Sequence, residues 1–251
     1  FKYVYQNIKK DVHLSSISGG TDIVSCFVLG NIYQPVYMGE IQNKGLALNV
    51  DILNDKGKSI KNSKGELVCK NPFPTMPLKF WNDKNDNKFK DAYFNRFPNT
   101  WHHGDFAEIK TTRGFVIHGR SDTTLNPGGV RLGTAEIYSE VEKFKEIKES
   151  IVVGQSWDND IRIVLFIVMN TKFFLTEDLL KKIKAQVRKN ASPRHVPSKV
   201  IVVKDIPRTK SGKIVELAVK NTIEGNNIKN KEALANPKAL EQFKSLKELS
   251  I

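Results

Sequence analysis

Pro207-Arg208-Thr209-Lys210-Ser211-Gly212-Lys213 delivers a lysine at the end of a short polar loop. Pro207 fixes φ on entry, and Gly212 permits a turn that a Cβ would block. Lys213 leaves that loop as a compact, hydrated point charge on a long stem. Chemistry that gathers negative charge on a phosphate wants such a charge at one place. A basic, solvated surface turn fits the same seven residues, so the segments around them decide the reading.

Working outward, 199–205 reads as a strand entering the loop, and a short helix follows Lys213 to about Asn221. Upstream, Pro193 and Pro197 close a helix that starts near Thr176, a plausible N-cap, and runs to Lys189. Apolar runs at 147–154 and 161–169 read as strands, and a helix over 134–144 places Ile137, Val141 and Phe144 on one face. Before Arg120 the texture differs. Leu46, Leu48, Val50 and Ile52 alternate with polar or small partners, as in a half-buried strand. Asn54-Asp55-Lys56-Gly57 reads as a hairpin turn, 65–70 as a strand, and 106–110 with 115–120 as a second hairpin. Pro72, Pro74 and Pro77 force an irregular loop between them. The expected fold class is α+β: a small antiparallel sheet or barrel over 1–121, a compact α+β domain over 122–224, and a polar tail over 225–251.

The 251 residues suffice for one large domain or a medium and a small one, and 39% hydrophobic content excludes wholesale disorder. Cys26 and Cys69 lack metal-ligand spacing and fit thiols of a reducing, cytoplasmic compartment. The apolar run 163–169 is too short for a bilayer span. No leader-like stretch opens the chain, and a start at Phe1 leads us to expect part of a longer polypeptide. The net charge of +13 would suit nucleic acid, but its lysines are scattered and no nucleic-acid motif accompanies them, so neither nucleic acid nor membrane is expected as a partner.

Five local motifs recur in fixed order. Ser18-Gly19-Gly20-Thr21-Asp22 offers flexible backbone, a hydroxyl and a carboxylate, a set suited to a phosphate and its Mg²⁺, although an ordinary glycine turn fits too. Trp101-His102-His103-Gly104-Asp105 ends in an acid able to accept both hydroxyls of a ribose, or to cap a turn. Gly119-Arg120-Ser121-Asp122 sets a forked cation beside an acid at the change of texture, where a hinge or a surface ion pair would lie. Asn126-Pro127-Gly128-Gly129-Val130-Arg131 puts two glycines where backbone can approach a ligand, then a cation for phosphate, although a plain loop with a solvated arginine fits equally. The lysine loop is the fifth.

In this order the motifs resemble the adenylate-forming superfamily, which includes acyl-CoA synthetases, adenylation domains and luciferases, and the resemblance covers nearly the whole chain. It implies that 1–121 is the end of a large AMP-binding domain and 122–224 its mobile cap. The finer stretches 36–42, 101–106, 125–131 and 192–197 narrow it to ATP-dependent ligation of acetoacetate to coenzyme A through an acyl-adenylate. At matching positions the resemblance implies catalysis by Lys213 and nucleotide binding by Gly19, Gly20, Thr21, Asp105, Arg120 and Arg131. It implies Asp22 near Mg²⁺, a hinge at Asp122, and CoA binding by Gly128, Gly129 and Arg188. The family's upstream glycine-rich phosphate loop has no counterpart here, so the missing N-terminal domain is an expected partner and activity of the chain alone is not expected. Gly19 stands where acetyl-CoA synthetases carry a tryptophan, which predicts extra room at the acyl end. A ligase for another short-chain acid, or a non-catalytic nucleotide- or nucleic-acid-binding module, are the alternatives.

Overall fold

The computed structural model describes residues 1–228 and 231–250, and the chain divides into two compact units, Phe1–Ser121 and Asp122–Ile251. Unit 1 opens with helix α1 (Lys2–Asn7), followed by strands β1 (Ser18–Gly20), β2 (Ser25–Leu29) and β3 (Asn43–Lys44), which form an antiparallel sheet in that order. Next come β4 (Val50–Leu53), β5 (Gly65–Cys69), helix α2 (Asn87–Tyr93), β6 (Trp101–Ile109) and β7 (Phe115–Arg120). The four strands pair as an antiparallel meander, β4-β5-β6-β7.

The barrel alternative is not realised: both sheets are open among the described residues. Phe115, at the start of β7, exchanges backbone hydrogen bonds with Ile41 (2.8 and 2.7 Å), an isolated bridge rather than a closing strand. The strand expected from Leu46 begins only at Val50. Ala47 sits at φ +60°, which breaks extended backbone, and Leu46 stands almost fully exposed. The 54–57 turn forms as expected, with Gly57 at φ +72° donating to the carbonyl of Asn54 at 2.9 Å. Helix α2 has no counterpart in the sequence reading, which stopped at the proline loop before it.

The core of unit 1 gathers Phe27, Ile52, Leu67, Phe73, Trp101 and Phe115. Glu66 is buried within the same meander. Its carboxylate accepts from Arg96 (3.1 Å) and the Ser121 hydroxyl and faces His102 Nε2 at 2.8 Å. A buried charge persists when it is paired and hydrogen-bonded in this way.

Unit 2 contains α3 (Thr134–Val141), β8 (Ile147–Trp157), β9 (Asp160–Met169), α4 (Glu177–Asn190), β10 (Lys199–Val202) and α5 (Glu216–Ile223). The sheet order is β10-β9-β8; β8 and β9 form an antiparallel hairpin, and β10 returns parallel to β9 after α4. Strand β9 is buried on both faces, which is why it reads as an unbroken apolar run. Val164, Phe166 and Val168 enter one core with Ala218 and Val219 of α5. Ile163, Leu165 and Ile167 enter another with Ile137 of α3 and Ile183 of α4. Thr176 caps α4 by accepting from the Leu179 amide at 3.2 Å.

Residues 231–250 depart from the polar tail expected of them. Short 3-10 turns bury Leu234, Leu240, Phe243 and Leu249 in the first of these cores, with Phe243 edge-on to Phe166 at 4.9 Å. The apolar residues are too sparse to show a helical or strand period, so the sequence pattern hides them. Replacing Phe243 by Ala should remove about 3–5 kcal/mol of unit 2 stability in urea unfolding. A solvated tail would lose no more than ~0.5 kcal/mol.

Candidate functional site

In unit 1 the Ser18–Asp22 turn, β6 and β7 carry one polar cluster. Asp105 and Arg120 are cross-strand partners, so the register of β6 and β7 itself sets acid beside cation. Arg120 donates from Nη1 to Asp105 Oδ1 (3.0 Å) and to the carbonyl of His103 (3.0 Å). Asp105 is buried, whereas the Arg120 side chain is half exposed. The Ser18 hydroxyl lies 3.4 Å from Asp105 Oδ2, which ties β1 to the same carboxylate. The motif around Asp105 is therefore strand throughout; the sequence reading started the strand only at Phe106.

Gly104 makes this arrangement possible. It adopts φ +83°, and a Cβ there would come within 2.6 Å of Arg120 Nη2. Gly19 has a different reason from the one expected. A Cβ at Gly19 would fall onto the carbonyl oxygen of Ser25 and within 2.5 Å of Cα of Cys26. Backbone of β2 fills the space predicted there, so Gly19 serves the close approach of β1 and β2 and leaves no cavity at that point.

Thr21 and Asp22 lie exposed in the turn that follows β1. Gly20 packs so tightly that a Cβ would meet the Asp22 carboxylate and sit 2.8 Å from Cε1 of His103. Tyr93, absent from the sequence reading, donates its hydroxyl to Asp22 Oδ2 at 2.6 Å and stacks on Trp101 with ring centroids 3.6 Å apart. Burial, together with the Asp22 carboxylate, pushes the Tyr93 phenol above its ordinary value, so it remains a donor. Nothing in the sequence marked Tyr93, because its partner is 71 positions away. Among the described residues no three His, Cys, Asp or Glu side chains converge on a metal position. One carboxylate beside a hydroxyl fits only the kind of Mg²⁺ that takes its other oxygens from phosphate and water.

Unit 2 carries the remaining predicted residues. Asp122 lies exposed in a 3-10 turn, Ser121–Thr123. Gly128 (φ +58°) and Gly129 (φ +75°) form another, Pro127–Gly129, and their left-handed backbone requires glycine. Three successive amides there are engaged: Gly128 with the Asp160 carboxylate (2.9 Å to each oxygen), Gly129 with the carbonyl of Asn126 (3.4 Å), and Val130 with that of Pro127 (3.2 Å). The amides of Ile161 and Gly128 hold the Asp160 carboxyl below its ordinary value. Arg194 Nη1 would lie 3.4 Å from a Cβ at Gly128, which brings a cation of the 192–197 stretch, given no role of its own in the sequence analysis, to this loop. Arg131 follows the glycines, partly buried, and Arg188 is exposed on the last turn of α4.

The lysine loop is a closed hairpin. Thr209 N–H donates to the carbonyl of Lys213 (2.9 Å), Lys213 N–H to Thr209 Oγ1 (3.1 Å), and Gly212 N–H to the carbonyl of Thr209 (2.8 Å). Arg208 Nη1 donates to the carbonyl of Gly212 at 3.0 Å. Gly212 takes φ +83° at the tip, and Lys213 stands exposed beside it. Among the described residues no helix is long and apolar enough to cross a membrane.

Replacing Gly104 by Ala forces a side chain onto the Arg120 guanidinium and into left-handed backbone. Unit 1 should lose about 1–3 kcal/mol in denaturant unfolding, while Gly129→Ala, where no atom lies in the way, should cost only the backbone strain of about 1 kcal/mol.

The AMP-binding enzyme C-terminal domain pattern matches residues 136–213. Acetoacetyl-coenzyme A synthetase of Rhizobium meliloti (strain 1021) is 60% identical over 99% of this chain and 38% of its own length. Acetoacetyl-CoA synthetase of Gallus gallus is 47% identical over 99% of this chain and 38% of its own length. Among solved structures, acetoacetyl-CoA synthetase from Streptomyces lividans superposes with a TM-score of 0.88 at 38% identity, covering 94% of this chain and 36% of that one. The chain thus spans a little over a third of the length of these relatives. Residues 136–213 thus carry the AMP-binding enzyme C-terminal domain pattern, and nearly the whole chain is similar to a little over a third of these acetoacetyl-CoA synthetases.

Proposed function

We propose that this chain forms part of an acid–thiol ligase that joins acetoacetate to coenzyme A, the activity named by its relatives. The observation that carries the reading is the exposed Lys213, next to the tip of a hairpin that its own backbone helps to close, at the last residue of the matched domain. In the first half-reaction an acetoacetate carboxylate oxygen attacks the α-phosphorus of ATP, and pyrophosphate leaves. Both reactants are anions, so a positioned ammonium offsets their repulsion and the charge that develops on phosphate. Lys213 supplies that charge. Asp105 and Arg120 hold the ribose hydroxyls through the carboxylate and guanidinium that the β6–β7 register pairs, and Thr21 contacts the α-phosphate. Asp22 would hold a Mg²⁺ through the phosphates, where the ion would screen their charge.

In the second half-reaction the CoA thiol attacks the carbonyl of the acyl-adenylate, and AMP leaves. Here the Gly128–Gly129 loop lines the path of the thiol arm, Arg131 contacts phosphate, and Arg188 the CoA nucleotide. A rotation about Asp122 exchanges the lysine loop for the glycine loop between the two steps. Nearly full exposure of Tyr33, Met38, Leu46, Leu78 and Trp81 in unit 1 supports a larger domain that covers them, the N-terminal part of the relatives. The free thiols Cys26 and Cys69 support a cytoplasmic setting.

In the enzyme that carries this chain, Lys213→Ala should lower acetoacetate-dependent ATP–pyrophosphate exchange by about 10²-fold or more. Thioester formation from supplied acetoacetyl-AMP should stay within about twofold of the parent. Equal loss of both half-reactions, or exchange driven by other short acids in preference to acetoacetate, would sink this reading. Asp122→Pro, which restricts the backbone at the proposed pivot, should slow the overall reaction while each half-reaction alone proceeds.

A further inference from the structure

We propose that residues 231–250 act as a clamp on the lysine loop, with Asn236 as its positioning residue. The proposal rests on the ligase reading for its consequence, but on separate observations for its geometry.

The segment lies alongside the residues that lead into Lys213. Thr209 and Leu234 form an antiparallel bridge, Lys210 N–H donates to the carbonyl of Ala233 (3.1 Å), and Ala235 N–H donates to that of Arg208 (2.8 Å). Asn236 then closes the base of the loop. Its Oδ1 accepts the Arg208 amide (2.8 Å), while Nδ2 donates to the carbonyl of Ile206 (2.9 Å) and to Asp205 Oδ2 (2.7 Å). Gln242 repeats the device six residues on, accepting from the Lys204 amide (2.7 Å) and donating to the carbonyl of Asp205 (2.7 Å). Leu240, Phe243 and Leu249 anchor the segment in the core of unit 2. Residues 231–250 lie beyond the matched domain, which stops at 213, whereas the residues they hold lie within it.

The loop needs such support. An isolated two-stranded hairpin is marginally stable in water, and this one carries exposed glycine at its tip. A catalytic charge displaced by about 1 Å can cost on the order of 10²-fold in rate. Strapping the entering strand of the loop to the core removes conformations in which the ammonium points elsewhere. Asn236 does this without touching substrate, because its three bonds end on backbone and on Asp205.

The test uses Asn236→Ala and Gln242→Ala in the enzyme that carries this chain. ATP–pyrophosphate exchange with acetoacetate should fall about tenfold or more in Asn236→Ala and by less in Gln242→Ala, with thioester formation from supplied acetoacetyl-AMP within about twofold of the parent. Amide hydrogen exchange should quicken over 207–213 and remain unchanged in β8 and β9. Unchanged nucleotide exchange, or parallel loss of both half-reactions in a variant whose β8 and β9 amides stay protected, overturns the clamp. Should Asn236→Ala lose protection throughout, Gln242→Ala decides by the same criteria. Absence of nucleotide exchange in the parent with any short acid defeats the ligase reading instead, and the 207–213 amides still report whether the segment holds the loop.

Discussion

Unit 2 depends on one strand being dry on both sides. β9 sends alternate residues into two cores, so α3 and α4 must cover one face while α5 and the 231–250 segment cover the other. A strand between two apolar layers cannot slip by one residue without exchanging its whole set of contacts. That constraint fixes β8 on one side and β10 on the other. Because β10 leads directly into the lysine loop, the position of Lys213 follows from the register of a strand some forty residues earlier in the chain.

Unit 1 rests on a comparable economy. The β6–β7 pairing puts Asp105 opposite Arg120 without any added loop, and Gly104 lets the guanidinium lie across the backbone. The carboxylate is buried and the cation half exposed, so the pair keeps one side open toward solvent. Tyr93 and Trp101 steady Asp22 from a helix and a strand that share an aromatic stack. The site is thus assembled from hydrogen bonds across regular structure, a more rigid support than loops provide.

Much of the fold was legible from period and punctuation. The helices of unit 2, the Thr176 cap and the strands around 147–169 follow from patterns confined to a few neighbouring residues. Besides α2, three features were not legible, each because its cause is distant in sequence or conformational. Ala47 breaks a good alternating pattern through a positive φ that its residue type does not announce. Gly19 reads as missing bulk but serves contact between two backbones. The 231–250 segment reads as polar because only scattered residues turn inward. Motif order singled out Asp22, Asp105 and Arg120 in unit 1 and Lys213 in unit 2 as candidates, while the contacts of Tyr93, Asp160 and Asn236 emerged only from the coordinates, since each acts across at least 28 positions.

The hydrogen bonds of the Pro127–Gly129 turn bear on what that loop can recognise. Glycine-rich turns often cradle anions because their amides are vacant and converge. Here each amide already has an owner, and one owner is a carboxylate that would repel a second anion. Such a rim suits electrically neutral, slender cargo, which is what the thiol-arm path proposed for this loop requires, and the proposed reading of a charged headgroup by arginine would complement it.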